Sequence, residues 1–230
     1  MKKLYFSCCF VFTFFLLCLS ASAQVEQVFS EIVDDESSYV AAMDEWLSSK
    51  DAKAGQTTTL FVNVINGDST TTHMTVLDFP DYDSWQTHMD ITAKSSAFAK
   101  YQLRTSNVTT LGEGLYLHVA DNGKSWRPGD YLYIMGINVT AGPVFVAAFR
   151  EFLSSELVKK APGLIRLVAN RAGSDISHTV LVTAPSFAAL NKYIDSSSGN
   201  KDMEAFVSKI GGIAAPTSGN TIYRVVKVWK

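Results

Sequence analysis

Apolar residues recur along this chain at two spacings, and the spacings take turns. Residues 25–33 alternate well enough for a strand. Val40, Met43, Trp46 and Leu47 then fall on one helical face. Ser37 or Ser38 is the expected cap of that helix, with Asp34, Asp35 and Glu36 at its positive end. Residues 58–65 and 71–79 are rich in β-formers, and Asn66-Gly67-Asp68 between them is a turn signal. Pro80-Asp81 ends the hairpin and opens a helical region carrying Trp85, Met89, Phe98 and Tyr101. Residues 109–120 return as a strand. The predicted order is β-α-β-β-α-β.

The second half of the chain predicts the same order. Residues 131–139 form a strand, and Gly142-Pro143 starts a helix with Val146, Phe149, Phe152 and Leu153 on one face. Residues 164–170 and 178–183 form a hairpin with Gly173 in the turn. Pro185-Ser186 opens a last helical region, which a Ser-Ser-Ser-Gly stretch at 196–199 interrupts before Met203, Phe206, Val207 and Ile210. Residues 221–229 close the fold as a strand.

The repetition extends to the letters. Val40-Ala41-Ala42-Met43-Asp44-Glu45-Trp46-Leu47-Ser48-Ser49 reappears 106 residues later as Val146-Ala147-Ala148-Phe149-Arg150-Glu151-Phe152-Leu153-Ser154-Ser155, with seven of ten positions identical. His73 stands seven residues before Pro80, and His178 seven before Pro185. The offset between copies stays within 105 to 107, so the chain reads as a tandem duplication. Its units are residues 24–124 and 125–230, joined near Ser125-Trp126-Arg127-Pro128-Gly129.

A β-α-β-β-α-β unit makes a four-stranded antiparallel sheet with both helices on one face. The strands here are apolar on both sides: Leu60, Val62 and Val64 against Phe61 and Ile65. One unit alone would leave an apolar sheet face in water. Covering several hundred Å² of it is worth on the order of 10 kcal/mol. The expected cover is the other copy. The predicted fold is α+β: two tandem ferredoxin-like repeats packed sheet to sheet. The duplication supplies its own partner surface, so a monomer is the expected state.

Composition narrows the chemistry. Residues 1–23 have a Lys-Lys start, an apolar run and Ala21-Ser22-Ala23, the layout of a secretory signal peptide cut before Gln24. The expected location is the periplasm or exterior of a bacterium, with no membrane anchor after cleavage. All three cysteines (Cys8, Cys9 and Cys18) lie in that leader. The mature chain therefore carries no disulfide, thiolate metal site or cysteine nucleophile. Removing Lys2 and Lys3 leaves 18 basic residues against 22 acidic ones with no long basic run, which speaks against nucleic acid as a partner. No metal-ligand motif, phosphate loop or nucleophile elbow is present.

The chain resembles the dimeric α/β-barrel superfamily, which includes antibiotic-biosynthesis-type monooxygenases, muconolactone isomerases and chlorite dismutases. The resemblance covers nearly all of residues 24–230 and rests on element order and duplication. It implies that the two repeats form an intramolecular pseudo-dimeric α/β barrel. Trp85-Gln86-Thr87-His88 with Ser96-Ala97-Phe98 looks like a helical stretch of the monooxygenase-like members. That likeness implies a pocket formed by Trp85, His88 and the strand residue Asn63. His73 and His178, at matched strand starts, are further ligand-binding candidates, read as a pair lining the barrel or its rim. Their bland reading is a half-solvated strand start. The activity stays open: the function expected is that of a small-molecule-binding or non-catalytic barrel protein, and any ligand is expected to be small and apolar or aromatic. The alternatives are a cofactor-independent monooxygenase or isomerase and a haem-binding or haem-processing protein. No metal is expected, and haem is the cofactor of that last alternative only.

Overall fold

The computed structural model describes residues 24–52, 56–67, 69–217 and 219–230. The predicted leader and its three cysteines lie outside the described residues. The first half contains β1 (Val25–Ile32), α1 (Glu36–Leu47), β2 (Thr57–Ile65), β3 (His73–Phe79), α2 (Tyr82–Thr92), α3 (Ser96–Arg104) and β4 (Thr109–Asp121). The second contains β5 (Tyr131–Val139), α4 (Gly142–Leu153), α5 (Glu156–Lys159), β6 (Ile165–Ala172), β7 (His178–Ala184), α6 (Phe187–Ser197), α7 (Lys201–Ile210), β8 (Ala214–Pro216) and β9 (Thr221–Trp229).

Local signals set most boundaries. Both Pro-led regions split into two helices. Ser95 caps α3 by accepting from the Phe98 N–H at 3.1 Å, and Asn200 caps α7 by accepting from Asp202. The cap of α1 differs from the expected serine. Asp35 takes that place, accepting the Ser38 N–H at 3.0 Å and the Ser37 and Ser38 hydroxyls at 2.7 and 2.6 Å. A carboxylate with three donors outcompetes a hydroxyl there, and the same bonds hold the Asp35 carboxyl down at about 2.

The strands close into one antiparallel barrel in the order β7-β6-β4-β1-β3-β2-β9-β5, with β5 returning to β7 and β8 added at the β5 edge. Each half contributes its strands in the ferredoxin-like order, β4-β1-β3-β2 and β9-β5-β7-β6. The two open faces meet inside the barrel, where Phe61, Met74 and Val76 pack with Leu132, Leu164 and Val225. The edges meet as well: β2 pairs with β9, and β4 with β6. Both seams carry register shifts, whereas the β2–β3 and β6–β7 hairpins run without one. Bulges bend a sheet, and closure needs the bend.

The helices cover the outside. Trp46 of α1 meets Phe98 of α3 with ring centroids 5.0 Å apart, and Phe152 of α4 stacks on Phe206 of α7 at 4.8 Å. The correspondence reaches the surface: Glu45 takes Lys100 and Arg104, while its counterpart Glu151 takes Lys209. No helix among the described residues is long and apolar enough to cross a membrane.

Candidate functional site

The period of two sends odd-numbered residues of β1 and β3 toward the helices and even-numbered ones into the barrel. In the first half the sheet and helices do not fill the space between them. A cavity of about 360 Å³ remains, floored by β1 and β3 and walled by α1, α2 and α3. Exposed Met89, Gln102, Thr110 and Glu113 mark its mouth between β4 and helices α2 and α3.

Its floor carries a buried acid. Glu31 is 6% exposed and ends β1 facing α1. The Tyr39 hydroxyl donates to its two oxygens at 3.0 and 3.1 Å, and the Thr75 hydroxyl donates at 2.7 Å. Tyr101 donates in turn to the Tyr39 hydroxyl at 3.3 Å. Burial raises the Glu31 carboxyl above the usual range, against the pull of the two hydroxyls. Burial likewise pushes Tyr101 up to about 12, so the phenols stay protonated.

Farther along the floor, Gln27 of β1 is fixed from both ends. Its Nε2 donates to Glu113 at 2.5 Å and its Oε1 accepts from Trp85 Nε1 at 3.1 Å. His88 also lines the cavity; it is 5% exposed and stands 5.2 Å from the Phe79 ring. Its pKa is lowered by burial, so the ring is neutral near pH 7. Two buried wall atoms, His88 Nδ1 and Thr58 Oγ1, have no hydrogen-bond partner. A buried polar atom without a partner costs about 1–3 kcal/mol.

The sequence candidates separate in space. Trp85 and His88 belong to this helix–sheet layer. Asn63 follows Phe61 on the barrel side of β2, so the three do not converge on one cavity. The expected Asn63–Trp85–His88 pocket is therefore absent, because alternation puts the asparagine on the opposite sheet face. Asn63 Nδ2 instead donates to the Thr71 carbonyl at 3.1 Å. His73 is buried rather than half-solvated and faces outward, with Nδ1 2.9 Å from Thr72 Oγ1 and Nε2 3.2 Å from Glu36. His178 is half-buried and meets the edge of Phe145 at 5.5 Å, with Nδ1 3.0 Å from Ser177 Oγ. Neither of the pair lines the barrel, since both point at the helices.

Glu31, Tyr39, Thr75, Tyr101 and Gln27 escaped the sequence reading, although a signal for them existed. At the repeat offset of 105–106, Glu31, Tyr39, Thr75 and Tyr101 correspond to Ile137, Phe145, Val180 and Phe206. Those four belong to one apolar cluster in the second half. The same fold position is thus a polar-floored cavity in one copy and packed hydrocarbon in the other.

No family model matches the sequence, and no curated protein does. Solved structures do share the fold. A candidate monooxygenase from Fusobacterium nucleatum subsp. nucleatum superposes with a TM-score of 0.62 at 13% identity, over 90% of this chain and 94% of that one. An anthrone oxidase-like protein gives 0.59 at 14%, over 91% and 93%. A variant chlorite dismutase from Candidatus Nitrospira defluvii gives 0.52 at 10%, over 90% and 92%. The fold is that of these α/β barrels. At such identities the likeness is one of fold alone.

The cavity chemistry does not fit haem. His88 is the histidine of the lining, and its unpaired Nδ1 is buried rather than presented to the cavity; His73 is engaged with Thr72 and Glu36, His118 with Asp121 at 3.0 Å, and His178 with Ser177. The lining holds no Lys or Arg to meet two propionates, and the charge at the mouth is the Glu113 carboxylate. Among the described residues no cluster of three His, Cys, Asp or Glu could hold a metal ion.

Proposed function

We propose that this chain is an exported small-molecule-binding protein without catalytic activity. Its ligand would be a small neutral aromatic molecule with a hydrogen-bonding group, held in the helix–sheet cavity of the first half. One observation carries the reading. A helical layer that only had to protect the sheet could be packed as the second half is, with Ile137, Phe145, Val180 and Phe206. The first half instead keeps space and a buried carboxyl that meets only hydroxyl donors. Both features lower stability, and a ligand gives them a use. The wall supplies apolar surface from Trp46, Phe98 and Met43, and polar atoms of His88 and Thr58 lie unpaired and buried behind it. The absence of cations in the lining favours a neutral ligand over an anion.

Five of the methionines make the test. Met43 and Met89 line this cavity, Met74 lies inside the barrel, and Met135 and Met203 pack in the second half. Titration of naphthol into methyl-labelled protein is expected to shift Met43 and Met89 saturably and to leave Met135 and Met203 unmoved. Shifts spread over all five, or none, would remove the proposal.

A second reading, oxidation of the bound molecule, draws on Glu31. A carboxyl with raised proton affinity at the floor of a cavity is suited to accept a proton from a ligand, and two neighbours are named for oxidations. Dioxygen uptake with anthrone separates the readings: binding alone consumes none. The exported location rests on residues 1–23 and is tested by fractionating cells that express the full chain. Monomer is supported by barrel closure, which uses both sheet edges of each half, and is tested by sedimentation.

A further inference from the structure

A second cavity, of about 230 Å³, lies inside the barrel and shares no lining residue with the first. Matched positions of the two halves build it. Val28 answers Ile134, Val76 answers Leu181, and Tyr116 answers Tyr223. Half-buried Ser174, Ile176 and Thr217 and exposed Gly219 stand at its open end.

One matched pair breaks the symmetry. Glu26 lines the cavity where the other half presents Leu132. The acid is 2% exposed. Arg166 Nη1 donates to Glu26 at 2.8 Å and to Asp78 at 3.0 Å, and Nη2 stands 3.7 Å from Asp121. The guanidinium lies over the Trp126 ring, 4.8 Å from its centroid. His118 sits 3.0 Å from Asp121. Three carboxylates thus share one permanent cation in a buried place. The cluster is short of positive charge, and Glu26 is its member that faces open space.

We propose that the barrel interior is a second ligand site, taking a small apolar molecule that ends in a protonated amine, with the body against the aliphatic and aromatic walls and the amine on Glu26. The carboxyl oxygens accept hydrogen bonds, which an ammonium supplies together with the missing charge. A carboxylate ligand would bring a further negative group to three acids served by one arginine and is disfavoured by repulsion. Burial pushes the Glu26 carboxyl up to about 7 against the pull of Arg166. An ammonium arriving near neutral pH therefore displaces a proton: the carboxylic acid becomes carboxylate, the amine stays charged, and the proton goes to buffer.

Phenethylamine, phenethyl alcohol and hydrocinnamate are probes of one size with three end groups. The expected result is a saturable shift of the Met74 methyl with the amine, at least tenfold tighter than with the alcohol, and none with the carboxylate. With the amine, Met43 and Met89 stay unmoved, which separates this site from the helix–sheet cavity. Calorimetry near pH 7 in two buffers of different ionisation enthalpy is expected to report proton release with the amine. Ser30→Leu fills the cavity away from the ion cluster and is expected to abolish the Met74 response with the circular dichroism unchanged. Glu26→Gln is expected to level amine and alcohol. The proposal is overturned if Met74 answers none of the probes, if alcohol or carboxylate binds as well as the amine, or if a folded Ser30→Leu protein still binds.

Discussion

Tyr39 and Phe145 occupy the same position, the fourth residue of α1 and of α4, and one hydroxyl group separates them. Each ring packs on a partner in the neighbouring helix, Tyr39 on Tyr101 at 6.5 Å and Phe145 on Phe206 at 6.2 Å. The scaffold is the same on both sides. The added oxygen serves Glu31, and Glu31 stands where the second half has Ile137. The second half therefore acts as an internal control for what the first half needs to fold.

Removing the hydroxyl alone should hurt. Tyr39→Phe takes one of two donors from a buried carboxyl and is expected to cost about 1–3 kcal/mol in urea unfolding. Transplanting the whole second-half set (Glu31→Ile, Tyr39→Phe, Thr75→Val, Tyr101→Phe) removes acid and partners together. That variant is expected to be at least as stable as the unchanged protein and to lose naphthol binding. If the four changes instead cost more than Tyr39→Phe alone, the polar floor is a structural necessity and its functional reading fails.

Buried acids, Asp78 among them, tie stability to pH in an unusual direction. Glu26 and Glu31 hold protons more tightly folded than unfolded. Their contribution is complete below the unfolded value of 4.5 and is lost as pH rises through the folded value, about 7 for Glu26. His88 and His178, with lowered pKa values, work the other way as pH falls past 6.5. Comparison with Glu26→Gln isolates one term. From about pH 8 to about pH 5 the unchanged protein is expected to gain about 1–3 kcal/mol relative to the variant. Parallel stability curves would show that Glu26 titrates as it does in the unfolded chain.

Arg166 joins the halves through charge. It comes from β6 and reaches β1, β3 and β4 of the other half. Arg166→Met leaves buried carboxylates without their cation and is expected to cost about 3–5 kcal/mol. Arg166→Lys keeps the charge but cannot fork between Glu26 and Asp78, and should fall between the two in denaturant unfolding. At the matching seam Thr59 replaces the arginine, Leu132 the glutamate and Thr183 the Asp78 carboxylate.

The repeat units proposed as residues 24–124 and 125–230 share the barrel core. Each half expressed alone exposes its inner face and two unpaired edges. Neither is expected to give a folded monomer by near-ultraviolet circular dichroism; mixing the two should restore the signal. A folded, monomeric half would show that the inner faces do not need one another.

Element order, the two copies and the need to bury both sheet faces were legible in the sequence, because each follows from local spacing. Period-two alternation, turn residues and caps act within a few positions. The repeat offset then placed every element of one half against its counterpart. His88 was legible as a candidate, and it does line a cavity. Asn63 was misplaced because alternation says that neighbours face opposite sides without saying which side holds the site. Where both faces of a strand are buried, polarity gives no further clue. Glu31 and Tyr39 were passed over for a related reason: an acid at a strand end and a tyrosine in the first turn of a helix look like surface.

The sequence alone thus determined a doubled unit whose inner faces had to meet, since apolar area exposed to water on both sheets is too costly to leave open. Only the tertiary structure decided how they meet, by edge pairing of β2 with β9 and β4 with β6, and which of the two helical layers stays hollow. Those outcomes depend on curvature and on volumes summed across elements far apart in the chain. A cavity is a difference between many side-chain sizes, and no local pattern encodes it.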